Sequence, residues 1–530
     1  MRPTAAAAAA ALAVASCVVT GCASPARTVD APIQVSLSSG PNNLDPRIGT
    51  DDASARVHQL LFDGLVDLDE QLRVRPRLAL AIAHPDPLTY VVPLRRGVRF
   101  HDGHELTSAD VVYTFRSMLA PSFVSPRKGG YRELASVDAT DRYTVTFHLT
   151  EPLASFPINL TQPIVPDGAS ATLREHPIGT GPYRFISATT DDRITLEANP
   201  AYFDGSPRNS GLVLRIIPDD VMRGLELRKG SLDLVINDLA PDIVQGLRTS
   251  PRLQVVEAPG VDYQYLGINL RDPALADRRV RQALAFAVDR DAIVAYLRRG
   301  LAVRADQMLP ALSWAALEHP PSFPHDPARA VALLESAGYS DPDGSGPAPR
   351  LRLTLKMSNA EFNRLQGAVL QQQLAEVGIA LDVRLSEFAT LYADVLAGNF
   401  QLFTLQWAAG ALADPDILRR VFHSRQAPPA GFNRGHYVSA AVDASLDRAS
   451  ATEDPVRRYE AYAEAQRLIA EDVPYVSLWH KRNVVVGQAT LSGLHLHPLG
   501  DYSTLRDVAR RPPSPATPSR PPGTETPETR

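Results

Sequence analysis

Apolar and polar residues alternate at Tyr143, Val145, Phe147 and Leu149, and again at Leu351, Leu353, Leu355 and Met357. A period of two puts such side chains on one face of a pleated strand, so both runs predict half-buried strands. Elsewhere the period lengthens to that of a helix. Val111, Val112, Phe115 and Leu119 follow Thr107 or Ser108 as N-cap and stop before Pro121, and Val280, Leu284, Ala287 and Val288 follow Asp277. The clearest composite signal lies at 351–385. There the strand Leu351–Met357 precedes a helix carrying Leu365, Leu370, Leu374 and Val377, Gly378 ends it, and Ile379, Leu381, Val383 and Leu385 alternate again. Strand, helix and strand in that span predict a βαβ unit with parallel strands. No repeat of fixed period appears. The chain reads as α/β.

The N-terminal pattern is different. Arg2 precedes an uncharged stretch from Ala5 to Val19, which is too short to span a bilayer as a helix. It ends in Val19-Thr20-Gly21-Cys22, which resembles a bacterial lipobox. That layout predicts an exported protein: a signal peptide over 1–21, lipid attachment at Cys22, and a polar tether over 22–30. At the other end 511–530 is rich in Pro, Thr and Ser and predicts a disordered tail. The folded body is expected over about 31–510.

Composition narrows the class. The 530 residues are 44% hydrophobic and 21% charged, which suits a large globular chain of two or more lobes. A formal charge of −5 without a long basic run argues against nucleic acid. The two cysteines are Cys17, inside the signal, and Cys22, so no disulfide of the mature chain is expected. After the signal no apolar run of 18 residues occurs, and a channel or pump is not predicted.

Local motifs for catalysis are not found. Neither a Gly-x-Ser-x-Gly elbow nor a His-Glu-x-x-His pair is present. Gly179-Thr180-Gly181 is followed by Pro182, which removes a donor that a phosphate loop would need, so it reads as a turn. His101-Asp102-Gly103-His104-Glu105 reads as an Asp-Gly turn between a strand and the Thr107 helix rather than a metal site. His495 and His497 alternate as if on a strand and read as surface residues. No catalytic residue, metal or cofactor is expected.

A series of segments in fixed order carries more information. It runs from Asn43-Leu44-Asp45-Pro46 and Leu61-Phe62-Asp63-Gly64-Leu65 through Leu94–Gly103 with Thr107–Val112, then Ile178–Tyr183, Asn199–Phe203, Tyr265–Leu270, Asp277–Leu284 with Asp289-Arg290, and Leu334–Tyr339. Together they resemble the extracellular solute-binding proteins of peptide and nickel ABC importers, family 5, over about 31–505. Most of these motifs read as scaffold, with Gly64, Gly97, Gly103 and Gly181 expected where strands turn sharply.

The resemblance implies a two-lobed periplasmic-binding-protein (Venus-flytrap) fold, with an extra domain on the first lobe. Lobe I would hold 31–64, 164–258 and 481–510, the extra domain 65–163, and lobe II 259–480. A ligand would lie between the lobes, and its contacts with both would favour closure. The partners implied are a short peptide or similar polar solute and ABC permease and ATPase subunits, with the binder itself a monomer. Ligand contacts are expected from Trp407, Asn237, Thr50 and Asp52, and with less support from Tyr131, Tyr265 and Trp479. In peptide binders of this family a carboxylate three residues past the tryptophan matching Trp407 holds the peptide's amine. Here that position is Gly410. Asp414 could be displaced into the role or could cap a helix through Asp414-Pro415. A sugar, an opine-like compound or a metal chelate therefore stays open as ligand. So do the roles of a ligand-presenting sensor and, with least support, a secreted hydrolase.

Overall fold

A computed structural model describes residues 28–512 except 170, 345 and 430. The expected signal, Cys22 and most of the expected tail lie outside the described residues. The architecture is α/β and two-lobed, organised around three main sheets.

The first lobe is built on a seven-stranded sheet in the order Leu253–Ala258, Asn483–Gln488, Leu234–Ile236, Ile33–Leu37, Gly211–Ile216, Arg193–Ala198, Tyr183–Thr189. Ile33–Leu37 pairs in parallel with both neighbours, and the outer pairs are antiparallel. Its apolar positions close a core that includes Ile33, Val35, Leu212, Leu214 and Leu234.

The extra domain carries an antiparallel four-stranded sheet, Ala83–Asp86, Thr89–Pro93, Thr144–Leu149, Leu134–Asp141. The helix Ser108–Leu119 packs on it through Val111, Phe115 and Met118, with Phe115 meeting Phe147 edge to face at 5.2 Å. Thr107 caps that helix in a capping box with Asp110, so the first turn's donors are satisfied where the sequence places them.

The second lobe holds a six-stranded sheet, Ala302–Arg304, Tyr475–Lys481, Tyr263–Ile268, Leu402–Trp407, Leu351–Ser358, Ile379–Ser386. The expected βαβ unit is present. Leu351 and Ile379 begin a parallel register, the helix Glu361–Ala375 crosses between them, and Gly378 turns with φ +81°. Leu351, Leu353, Leu355 and Met357 all point into one core, which is why their alternation was readable. Tyr263–Ile268, by contrast, is buried at every position, because it is a central strand covered on both faces.

One expectation needs correction. His495 and His497 do not lie on a strand: the strand ends at Ser492, Gly493 turns with φ +75°, and His495 Nδ1 lies 2.9 Å from the Gly493 carbonyl. Gly97 and Gly103 turn in the left-handed region and Gly181 lies in the bend that enters Tyr183–Thr189, but Gly64 and Gly181 also serve close approach. A Cβ on Gly181 would sit 2.5 Å from the Leu61 carbonyl carbon, and one on Gly64 2.7 Å from the Thr161 oxygen. Those two glycines allow backbones to touch.

The chain passes between lobes twice, at 259–262 and at Arg482, and the two passages lie side by side. Lys481 donates its N–H to the Asp262 carbonyl at 2.9 Å, and a Cβ on Gly260 would fall 2.4 Å from the Lys481 carbonyl. Such a paired crossing fixes the lobes to one axis while leaving few dihedrals to rotate.

Candidate functional site: the interlobe cavity

A cavity of about 490 Å³ opens between the extra domain and the second lobe. One wall comes from 126–133 and 153–163, the other from 410–420 with Gln426, Pro429 and Phe432. The second wall follows directly from the sheet: Leu402–Trp407 ends at the lobe's edge, the chain makes short turns, and the helix Ile417–Phe422 starts. The first wall is held by Asn159, whose side chain donates to the Gly130 carbonyl at 2.9 Å and whose own carbonyl accepts from Tyr131 Oη at 2.9 Å. Beside the cavity the two bodies touch. Ala154 donates its N–H to the Ser450 carbonyl at 3.1 Å, Tyr90 Oη lies 3.1 Å from Glu453, and His84 Nδ1 lies 2.7 Å from the same carboxylate.

Asp414, Gly410 and Tyr131 line this cavity. Asp414 accepts the Asp416 N–H at 2.8 Å and stands 3.7 Å from Arg458; burial pushes its carboxyl up to about 6, with Arg458 partly offsetting that. It shapes the turn into the Ile417 helix, whose first turn also bonds to the Asp414 carbonyl at 3.2 Å. Asp416 takes Arg419 as a two-pronged partner at 2.9 and 3.2 Å. Tyr131 is 8% exposed, and burial raises its phenol well above the ordinary value.

Trp407 stands one layer behind the wall. It is 8% exposed, meets the cavity-lining Phe432 at 5.3 Å, and carries the Arg434 guanidinium 4.9 Å above its ring. Its indole N–H is buried without a partner among the described residues. Arg434 continues inward, donating to Tyr265 Oη at 3.2 Å. Tyr265 itself is fully buried, stacked on Tyr475 at 4.2 Å. Trp479 is 2% exposed in the core of the same lobe against Phe362.

Three further residues lie away from this cavity. Asn237 occupies the left-handed region at the end of its strand, where Asn is tolerated. Its amide oxygen accepts the Val484 N–H at 2.8 Å and its amide nitrogen donates to Asn483 at 3.1 Å, so both groups serve the first lobe beside the crossing. Thr50 is exposed, and Asp52 pairs with Arg56 at 2.9 Å. Neither lines the cavity, although the carbonyl of Gly49, one residue earlier, accepts Arg127 Nη2 at 3.0 Å.

Sequence reasoning missed Arg127, Gln162, Arg419 and Arg420 on the cavity wall. The first sits in a Pro- and Gly-rich loop, 126–130, which is a signal for a binding loop. The others carry no local signal. The segment His101–Glu105 forms the turn expected, with His104 Nδ1 2.7 Å from Asp102 and His101 Nε2 3.1 Å from the Gly181 carbonyl. Among the described residues no cluster of three or more His, Cys, Asp or Glu is placed to hold a metal, and no helix is long and apolar enough to cross a membrane.

Known proteins match this chain over most of its length. Residues 73–429 match the family model for bacterial extracellular solute-binding proteins, family 5. The oligopeptide-binding protein AppA of Bacillus subtilis is 30% identical over 491 residues, 88% of this chain and 89% of AppA. The glutathione-binding protein GsiB of Pectobacterium atrosepticum is 28% identical over 88% of this chain and 91% of its own. The structure of AppA in complex with a nonapeptide superposes with a TM-score of 0.76 over 91% of this chain and 99% of AppA, at 28% identity. NikA of Brucella suis, 20% identical, shares the fold with a TM-score of 0.82 over 91% of this chain and 100% of NikA. The chain belongs to the bacterial extracellular solute-binding proteins of family 5, which are transport binding proteins and not enzymes.

Proposed function

We propose that the protein captures a short peptide or similar polar solute in the interlobe cavity and delivers it to the permease of an ABC importer. The observation that carries this reading is the cavity itself. Its walls come from two bodies that also touch directly through Ala154 and Ser450 and through Tyr90, His84 and Glu453. A solute in contact with both walls binds the closed arrangement better than the open one, so its differential affinity drives closure. Peptide and glutathione binding among its relatives supports a peptide-like ligand. Gly410, which offers no carboxylate for an amine, favours a second reading in which the solute is not an ordinary peptide.

The protein works as an exported monomer held to the membrane by lipid on Cys22, which raises its effective concentration at the permease. Thermal denaturation with a panel of peptides, sugars, opines and metal chelates tests the binding role. A ligand at about 100 times its Kd should stabilise the protein by about 2.7 kcal/mol, and a flat response to the whole panel would overturn the reading. Mass spectrometry of the membrane fraction, wild type against Cys22→Ser, tests the anchor.

A further inference from the structure

Of the acids on the cavity wall, Asp416 is held by Arg419 at hydrogen-bond distance and Asp414 stands 3.7 Å from Arg458, while the charge of Glu133 acts on Arg419 from the facing wall. Arg127 is in the opposite condition. Its Nη2 donates to the Gly49 carbonyl, its Nε is buried without a partner, and among the described residues no carboxylate pairs with it. Burial depresses its proton affinity, and only Tyr131 opposes this. A guanidinium withdrawn from water without a counter-ion is costly, and its planar fork matches a carboxylate.

A second unsatisfied group lies on the same wall. Gln162 is 3% exposed and lines the cavity, its Nε2 donates to the Pro46 carbonyl at 3.2 Å, and among the described residues its Oε1 is buried without a partner. A neutral acceptor of this kind suits an amide N–H. Across the cavity Gly410 has open space around it and no charge to hold an ammonium group.

We propose that the cavity selects a carboxylate-bearing solute without a free amine, of the class of N-acylated peptides, with its carboxylate on Arg127 and an amide N–H on Gln162. This rests on the reading of the interlobe cavity as the ligand site. The orphan donor and the orphan acceptor then find partners together, and no ligand ammonium is left beside Gly410, where the wall carries no charge.

Isothermal titration of the purified chain with N-acetyl-tetra-alanine, its C-terminal amide and unmodified tetra-alanine tests the assignment. The acetylated acid should bind about thirtyfold tighter than its amide and about tenfold tighter than the unmodified peptide. Arg127→Gln should reduce affinity for the acid to that for the amide and leave the amide unchanged, a pattern that a purely structural defect would not give. The wild-type comparison stands even where that variant fails to fold. Equal affinity for acid and amide, or for free and acetylated peptides, overturns this inference and leaves the binding role intact. So does silence from all three peptides while another solute raises the Tm. Silence from every solute overturns both.

Discussion

Asp414 holds a carboxylate oxygen 3.7 Å from the Arg458 guanidinium, beyond hydrogen-bond length, on the second-lobe wall of the cavity. Desolvation therefore outweighs the attraction and raises the carboxyl to about 6. A carboxyl whose folded value lies above its unfolded one takes up its proton more readily when folded, so its contribution to stability falls as pH rises from about 4 to about 6. Between pH 7.5 and 4.5 this group should add about 2 kcal/mol of stability. Asp414→Asn lacks that gain and should lose more of its urea midpoint on acidification than wild type. Parallel curves for the two proteins would contradict the assignment.

Two histidines act with the opposite sign. Burial lowers His58 and His480 to about 4, with Arg127 adding to the effect at His58. The unfolded chain binds their protons first, so stability is lost as pH falls from about 6.5 to about 4, by about 2–3 kcal/mol for each group at pH 4.5. His58→Gln keeps a donor for the Asn43 carbonyl, 3.1 Å from Nε2, and should flatten this acid limb. An unchanged slope between pH 6.5 and 4.5 would show that His58 does not titrate there.

Glu453 joins the second lobe to both Tyr90 and His84 of the extra domain. Glu453→Ala removes contacts that exist only when the two bodies meet. It should leave the urea midpoint nearly unchanged while weakening ligand affinity by about 1 kcal/mol, roughly fivefold. Small-angle scattering should report a larger radius of gyration for the variant; the same radius and the same Kd would refute a latch.

Gly179→Ala should be among the most damaging single-methyl additions in the first lobe. Its Cβ would lie 2.0 Å from the Leu61 oxygen, where a backbone carbonyl has no room to yield. The expected cost is about 3 kcal/mol, read from denaturant unfolding. A loss under 0.5 kcal/mol would mean that the close approach is relaxed in solution.

Gly410→Asp should be tolerated, since a Cβ there has nothing within 4 Å among the described residues. It places a carboxylate on the cavity wall three residues past Trp407. Affinity for unmodified tetra-alanine should rise about tenfold relative to wild type, with no gain for the acetylated peptide. Equal gains for both would indicate a change in closure rather than an amine contact.

The legible parts of this protein are those where a local period or cap is also the tertiary fact. Leu351, Leu353, Leu355 and Met357 alternate because one sheet face is buried, and Thr107 and Asp277 begin helices because their side chains reach orphan N–H groups nearby. The close approach of Gly64 to Thr161 and of Gly181 to Leu61 leaves no local trace. The region after Trp407 was found through the resemblance, yet the tryptophan itself stands behind Phe432, and Tyr265 and Trp479 fall in the core.

By itself the sequence determined the α/β class and the ordered family segments, because periodicity, turn chemistry and composition act over a few residues. Only the tertiary structure decided which groups share the cavity. Arg127 and Gln162 are 35 positions apart in the chain and share one wall, while Asp414, more than 250 positions beyond either, stands on the other, so the cavity they line exists only once the extra domain and the second lobe meet.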